Sequence, residues 1–316
     1  MTEYCIDLRH LTKKFGNFTA VNDLSVRLEP GKVYGIVGPN GAGKSTTMGM
    51  IMGSLFPTSG SGTVYGHPLA STAALKLLGY SPEFTSFYSD MSCSEYLYYM
   101  GCLGGLSNRD ALTRTIELLR QFDLVDHADR KVAKFSTGMK KKVSLAQAMI
   151  HRPKILLLDE PTANLDPTSR QDILDAVRQM VEKENMTVLI SSHVLTELET
   201  VIHHVLMIDH GKLILDAPIH EAQEKFKQGI LLVDTDRNEE LMEQLQPRWQ
   251  CSIQDGILRI TTADMDDLKK EIVSRVYYNS MTLNMMREEV ISLDTLYRQM
   301  MEGEKADEND IQENAG

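Results

Sequence analysis

A chain of 316 residues, 42% hydrophobic and 24% charged, is long enough for a large core and more than one unit, yet no apolar run in it approaches the roughly 18 residues of a membrane span. Its net charge of −11 argues against broad nucleic-acid binding. Cys5, Cys93, Cys102 and Cys251 show neither metal-ligand spacing nor disulfide density, and the opening MTEYCIDLRHL lacks the apolar core of a signal peptide, so a reducing cytosol is expected.

Residues 4–29 alternate short β-like runs with turns, YCIDLRHL and then FTAVNDLSVRL, and read as an antiparallel edge ahead of a main sheet. Phe15 and Phe18 flank Gly16-Asn17, the expected hairpin turn; an aromatic there either stacks on a purine or packs on the core. Residues 33–37 form a buried strand that runs into GPNGAGKST, that is Gly38, Pro39, Asn40, Gly41, Ala42, Gly43, Lys44, Ser45 and Thr46. This matches the P-loop pattern G-x-x-x-x-G-K-[ST] with a strand before and a helix after. In such a loop the glycines let backbone N–H groups close around phosphates. Lys44 adds a positive charge at the terminal ones, and Ser45 places a hydroxyl for Mg²⁺. Ser59-Gly60-Ser61-Gly62 reads as a turn before a strand at 63–65, and GYSPEF at 79–84 as a strand end and loop. From about residue 84 to 150 the pattern becomes helical. Ser107 and Asp110 open one helix in the manner of a capping box, with Leu112, Ile116, Leu119 and Phe122 as its apolar face. This insert separates Lys44 from Asp159 and is expected to fold as a subdomain.

The stretch 135–167, FSTGMKKKVSLAQAMIHRPKILLLDEPTANLDP, organises the rest. Ser136-Thr137-Gly138 can open a helix with free backbone N–H groups, which is how a protein holds an anion. Val143, Ala146 and Ile150 recur at helical spacing beside Leu145 and Met149, so this helix is largely buried. Pro153 breaks it, and 155–158 is an apolar run suited to a central parallel strand. Asp159 and Glu160 then sit at that strand's carboxyl end, where open α/β sheets place their ligands. Two adjacent acids leaving a buried strand are costly unless a cation or phosphate chemistry employs them, which points to a nucleotide. Beyond them come a helix at about 168–184, a strand at 187–190 ending in Ser191-Ser192-His193, and a hairpin of 205–208 with 212–215 around Asp209-His210-Gly211. His203-His204 have no Cys or carboxylate at ligand spacing and are assigned to a turn surface. From about residue 220 the order becomes β-α-β-β-α-β, a ferredoxin-like arrangement with Met285 and Met286 in its core, followed by a last helix. At the end, Glu302, Glu304, Asp307, Glu308, Asp310 and Glu313 against Lys305 read as a disordered acidic tail.

Taken together, these motifs resemble an ATP-binding cassette (ABC) ATPase across roughly residues 4–218. GPNGAGKST corresponds to the Walker A loop, and ILLLDE to Walker B with Glu160 as the family's catalytic base. FSTGM stands at the signature, usually LSGGQ. ANLD, ending in Asp166, resembles the D-loop, His193 the switch histidine, and Phe15 in KKFG the aromatic that stacks on adenine. The signature carries Thr137 and Met139 where Gly and Gln are usual but keeps Ser136 and Gly138, a hydroxyl and a flexible N–H for a γ-phosphate bound in trans. Glu83 in GYSPE stands at the Q-loop position, and is expected to sit slightly back and reach the metal through water. KKKVSLAQAM after the signature and ISLDTLYRQMM near the end resemble exporter cassettes of the drug, bacteriocin and lipid class.

The resemblance implies an α/β fold: a P-loop ABC ATPase core with a mixed sheet and antiparallel edge, a helical subdomain, and a small C-terminal α+β unit. The expected division is 1–218 for the ATPase, with the helical insert at about 84–150, then 219–301 for the accessory unit and 302–316 for the tail. The implied function is the ATP-binding and hydrolysing subunit of an ABC transporter, an exporter, using ATP and Mg²⁺. Expected partners are separately encoded transmembrane permease subunits and a second ATP-binding subunit, identical or paralogous, at the cytoplasmic face of the membrane and without nucleic acid. Catalysis would fall to Glu160, His193 and Lys44, and the metal to Ser45, Asp159 and Glu83. Phe15, residues 38–46 and Glu83 would hold nucleotide in cis, with Ser136, Gly138 and Asp166 across the dimer. Residues 86–106 would meet the permease. The alternative is a soluble ABC ATPase acting in a nucleic-acid or ribosome-linked process. Those chains usually show two cassettes, zinc-binding Cys pairs or a long coiled coil, none of which is visible here.

Overall fold

The computed structural model describes residues 4–225, 229–262 and 264–289, together with 292, 295 and 297. The chain divides into two compact units, Met1–Ile219 and His220–Gly316.

In the first unit, β1 (Ile6–Phe15) and β2 (Phe18–Leu28) form the expected hairpin, with Phe15 opposite Phe18. Next come the buried strand β3 (Val33–Val37) and helix α1 (Lys44–Ile51). Strand β4 (Ser59–Val64) pairs with the free edge of β1, and β5 (His67–Pro68) with β4, giving an antiparallel sheet in the order β2-β1-β4-β5. The segment Ser59-Gly60-Ser61-Gly62 is therefore strand and not turn, with Ser59 opposite Thr12, Ser61 opposite Arg9 and Gly62 opposite Leu8. Its small residues reflect crowding: a Cβ on Gly62 would stand 2.8 Å from both Leu8 and Leu69 side chains.

After the short helix α2 (Thr72–Leu75) comes β6 (Leu78–Ser81), and then the helical insert: α3 (Cys93–Leu103), α4 (Asn108–Gln121) and α5 (Thr137–Met149). Both α3 and α4 begin on a serine cap, Ser92 and Ser107, whose hydroxyls accept from the N–H groups of Glu95 and Asp110. The inward face of α4 is rotated from the expected one. Ala111, Leu118, Leu119 and Phe122 are buried, whereas Leu112 and Ile116 are 55% and 41% exposed. The cause is Arg114, which turns inward and donates to the Met149 carbonyl at the end of α5 (3.2 Å) and to Glu117 (3.0 Å). A guanidinium on the last carbonyls of a helix satisfies an orphan acceptor and suits the helix dipole, so a basic residue takes a place that apolar periodicity assigns to a hydrophobe.

The main sheet continues with β7 (Ile155–Leu158), α6 (Pro167–Glu184), β8 (Thr187–Ser192), α7 (Leu195–Leu198), β9 (His204–Asp209) and β10 (Lys212–Pro218). Its order is β10-β9-β3-β8-β7-β6, parallel throughout except for β10, which returns antiparallel on β9. Every residue of β3, β7 and β8 is buried, as strands covered on both faces require. His203 is exposed at the bend before β9, as expected of a turn surface, whereas His204 is half-buried in the strand. His203 accepts the N–H of Val33 (3.0 Å), while His204 opens β9, bonds Asp216 (2.5 Å) and tilts against the Tyr34 ring.

The second unit begins within α8 (Ile219–Lys225). Then follow β11 (Ile230–Thr235), α9 (Asn238–Leu245), β12 (Gln250–Gln254), β13 (Ile257–Thr261), α10 (Met265–Tyr278) and β14 (Leu283–Glu288). The antiparallel sheet runs β12-β13-β11-β14, so the β-α-β-β-α-β order folds with its first and third strands at the centre. Leu231, Val233, Leu241, Leu258, Leu268 and Ile272 are fully buried within it, and Met286 packs on them. Met285 points to the other face of β14, since side chains alternate along a strand. The expected last helix within ISLDTLYRQMM, apart from Ser292, Thr295 and Tyr297, and the acidic tail at 302–316 lie outside the described residues.

Each unit draws its core from its own residues. A chain ending at Ile219 is therefore expected to keep its near-UV circular dichroism and to melt in one cooperative transition. Helical signal without a cooperative melt would show that the first core depends on the second unit.

Candidate active site

Four neighbouring parallel strands end together. Val37 of β3 lies opposite Ser192 of β8, Ile190 of β8 opposite Leu158 of β7, and Leu158 opposite Ser81 of β6. The segments that leave these ends are the glycine-rich loop, His193, the Asp159-Glu160 pair, and Pro82-Glu83. Residues up to 155 positions apart in sequence thus meet at one carboxyl-end edge, the usual place for a ligand in a parallel sheet.

The loop after β3 feeds α1 directly. Gly43 is the cap residue at φ +106°, and a Cβ there would come within 2.5 Å of the Ala20 carbonyl, so only glycine fits. No side chain caps α1, and its first turn carries no acidic residue, which leaves the leading N–H groups facing an anion site. Lys44 is buried and donates from Nζ to the carbonyls of Gly38 (2.8 Å) and Pro39 (3.1 Å), while standing 3.6 Å from Glu160 Oε1.

Behind the loop, Asp159 Oδ1 accepts from Ser45 Oγ (3.0 Å) and Ser191 Oγ (2.7 Å). The Tyr80 hydroxyl stands 3.5 Å from Oδ2; burial pushes the phenol up to about 12, helped by the neighbouring carboxylate, so it remains a donor. Ser191 also accepts the Glu160 N–H (2.8 Å), holding a residue whose backbone sits at φ +45°. Glu160 Oε2 meets His193 Nδ1 at 2.8 Å, a bond in which the ring donates when Nδ1 carries the proton. Sequence reasoning assigned nothing to Ser191 or Tyr80. Their only signal is position, at or near the ends of strands flanking the acidic pair.

A cleft of about 290 Å³ brings together Phe15, Asn40, Gly41, Gly43, Lys44, Ser45, Thr46, Glu83, Glu160 and His193, with Phe18, the other aromatic of the hairpin, and the unforeseen Ala20 as further walls. Phe15 and Phe18 are 47% and 61% exposed, and the Lys13 ammonium lies 5.0 Å from the Phe15 ring. Gly38 and Ala42 form the buried inner side of the loop, Pro39 is exposed but turns its carbonyl to Lys44, and Asp159 is buried behind Ser45. Three further expected residues lie neither in this cleft nor in its loop. Ser136 caps α5, accepting from Met139 N–H (3.3 Å), and Gly138 is buried against Ser169. Asp166 caps α6, accepting from Ser169 N–H (3.0 Å), and the Ser169 hydroxyl together with that N–H holds its carboxyl below the usual range. The starts of α5 and α6 therefore adjoin each other, apart from the cleft.

Lys141 is a further residue that the sequence reading passed over. It is 7% exposed, and its ammonium donates to the carbonyls of Glu83 (2.6 Å) and Glu160 (3.3 Å), with that of Pro82 at 3.5 Å. Burial pushes the ammonium down, against the pull of Glu83, Asp159 and Glu160. The signal was present in helical phase: position 141 follows buried Gly138 by three and precedes buried Leu145 by four, so one lysine of KKK must face inward.

Among the described residues no group of three or more His, Cys, Asp or Glu side chains could hold a metal ion, and no helix is long and apolar enough to cross a membrane. Ser45 and Asp159 instead offer one hydroxyl and one carboxylate, hard oxygens that suit a cation drawing its remaining ligands from phosphate and water.

Residues 21–163 match the family described as ABC transporter. The bacitracin transport ATP-binding protein BcrA of Bacillus licheniformis is 32% identical over 79% of this chain and 82% of its own length. The Nod factor export ATP-binding protein I of Burkholderia lata is 36% identical over 68% of this chain and 71% of its own. A solved structure of an ATP-binding subunit of an ABC transporter superposes with a TM-score of 0.64 at 26% identity, covering 70% of this chain and 93% of that one. With the glycine loop, the acidic strand end and the histidine converging as such ATPases require, this chain belongs to the ABC transporter family as an ATP-binding cassette ATPase.

Proposed function

We propose that this protein hydrolyses ATP at the cleft between β3 and β7 and that two copies, or this chain and a paralogue, close on two nucleotides to drive separate membrane subunits of an exporter. The observation that carries the reading is the division of the site. Lys44, Ser45, Glu83, Glu160 and His193 share one cleft, while Ser136 and Gly138 open a helix apart from it, as a site completed by a second chain requires. Family membership implies nucleotide binding and membrane partners. The transport and export named for the relatives support outward movement of a cargo, chosen in the membrane subunits.

In this reading the N–H groups of residues 41–46 and the Lys44 ammonium hold the phosphates, and Phe15 stacks on the adenine, with Phe18 beside it. Ser45 and Asp159 would hold Mg²⁺, which supplies charge neutralisation at the phosphates when bound. Glu160 takes the proton of the attacking water, and His193 keeps that carboxylate oriented through its 2.8 Å bond. Ser136, Gly138 and Asp166 would face the partner's nucleotide, where the start of α5 offers a hydroxyl and free N–H groups. Phe84, Tyr88 and Leu103, 76%, 54% and 63% exposed, support a contact of residues 86–106 and the adjoining loop with a membrane subunit. This would hold the protein at the cytoplasmic face of the membrane.

Lys44→Ala is expected to abolish hydrolysis and weaken ATP binding, because it removes the cation closest to the phosphates. Glu160→Gln should lower turnover by about 10²–10⁴ while leaving ground-state contacts in place, so that Mg-ATP accumulates a dimer in light scattering. Adding Ser136→Ala should loosen that dimer. A monomer for Glu160→Gln at saturating Mg-ATP, even with the membrane subunit present, would rule out the shared site.

Glu83 lines the cleft through a half-buried side chain, and its carbonyl is held by Lys141. An ionised Glu only accepts hydrogen bonds, so it does not bond phosphate oxygens directly and acts through the insert. Glu83→Gln is expected to keep basal hydrolysis within about tenfold but to reduce stimulation by the membrane partner in liposomes. Unchanged activity in both assays would leave Glu83 without a coupling role.

A further inference from the structure

Helix α5 differs in character between its start and its middle. Its start carries Ser136-Thr137-Gly138, and its middle carries two buried polar residues that bond loops of the same chain's cleft. Lys141 donates to the carbonyls of Glu83 and Glu160, with Pro82 also within 3.5 Å. One turn on, Ser144 Oγ bonds both Ser81 Oγ and Thr85 Oγ1, each at 2.7 Å. Residues 81–85 are thus bound to α5 from both sides of Glu83, and the backbone of Glu160 is bound to it as well.

A buried ammonium is retained against its desolvation only when its donors are used, and three N–H groups facing three carbonyls use all of them. A neutral hydrophobe would leave those carbonyls without this partner. The residues so gripped are specific. Glu83 and Glu160 both line the cleft, and Glu160 is the one whose backbone sits at positive φ. Lys141 is also only three residues beyond Gly138, less than one helical turn, with no break in α5 between them. A shift of the helix start must therefore carry the Lys141 ammonium with it.

We infer that Lys141 is a positioning residue that couples the Ser136–Gly138 end of α5 to Glu83 and Glu160 of its own chain, so that docking of this helix on a second copy's nucleotide is felt at this chain's own carboxylate. The inference rests on the proposed roles of Glu160 and Ser136. It gives the helix that completes the neighbouring site a direct grip on its own site. Two sites joined in this way fire in concert because one rigid element belongs to both.

The test uses the full-length protein and Mg-ATP. Lys141→Met keeps the apolar stem and removes every donor; turnover is expected to fall about tenfold or more, with KM and the affinity for a fluorescent ATP analogue changed less than about threefold. Lys141→Arg, which keeps charge and donors, should recover most of the loss at a melting temperature equal to that of the Met variant. Unchanged turnover in Lys141→Met, a loss matched by weaker nucleotide binding, or no recovery with arginine would overturn the inference. If Lys141→Met does not fold, Lys141→Gln takes its place with the same readings. Glu160→Gln in the same series keeps the two ideas apart: no turnover in the wild type, or full turnover in Glu160→Gln, sinks the functional reading and this inference together. An active wild type with normal Lys141→Met sinks this inference alone.

Discussion

Two carboxylates, Asp159 and Glu160, leave a wholly buried strand at 4% and 7% exposure. Buried charge without partners is among the most destabilising features a fold can carry, several kcal/mol for each ion even after relaxation. Much of the first unit is arranged to satisfy this pair. Asp159 receives hydroxyls from Ser45, at the start of α1, and from Ser191, at the end of β8. Glu160 receives an ammonium 3.6 Å away from Lys44, an imidazole from His193, and a backbone bond from Ser191. The strand order follows from these demands, because β8 must lie beside β7 for its end to reach both acids, and β3 beside β8 for the glycine loop to close over them.

The same groups that neutralise the acids are those a nucleotide would engage. Lys44 is shared between loop carbonyls and Glu160, and Ser45 is bonded to Asp159. Binding of a polyphosphate therefore exchanges partners within a set already in place, which keeps reorganisation small and lets the electrostatic field act where charge develops.

The helical insert is held together, and to this core, by polar bonds as well as by apolar packing. Arg114 ties α4 to the last carbonyls of α5, Tyr96 bonds Gln147 at 2.5 Å, and Ser144 and Lys141 bond the segment after β6. Polar bonds have direction, so they hold a helix in register more strictly than apolar contact does. With Arg114 turned inward, Leu112 and Ile116 are released to the surface. The second unit shows the opposite economy: a sheet and two helices around a core of leucine, isoleucine and valine, without a comparable buried acid pair among its described residues.

The sequence alone determined the elements whose chemistry is local. GPNGAGKST declared its own strand, loop and helix, ILLLDE its buried strand and acids, and the second unit its β-α-β-β-α-β order, because spacing and residue type report conformation within a few residues. What passed unseen was set by contacts between distant segments. Ser59-Gly62 pairs as a strand because β1 lies beside it, and Arg114 replaces a hydrophobe because the end of α5 lies beneath it. Ser191, Tyr80 and Lys141 take up their roles only once β6, β7, β8 and α5 are side by side. A serine or a tyrosine has no distinctive pattern in the chain, and helical phase marks Lys141 only as facing inward, since the identity of a hydrogen-bond partner nineteen to seventy-nine residues away leaves no trace in local periodicity. Tertiary structure decided which of these ordinary residues hold the acids, and by that which of them can act on a ligand.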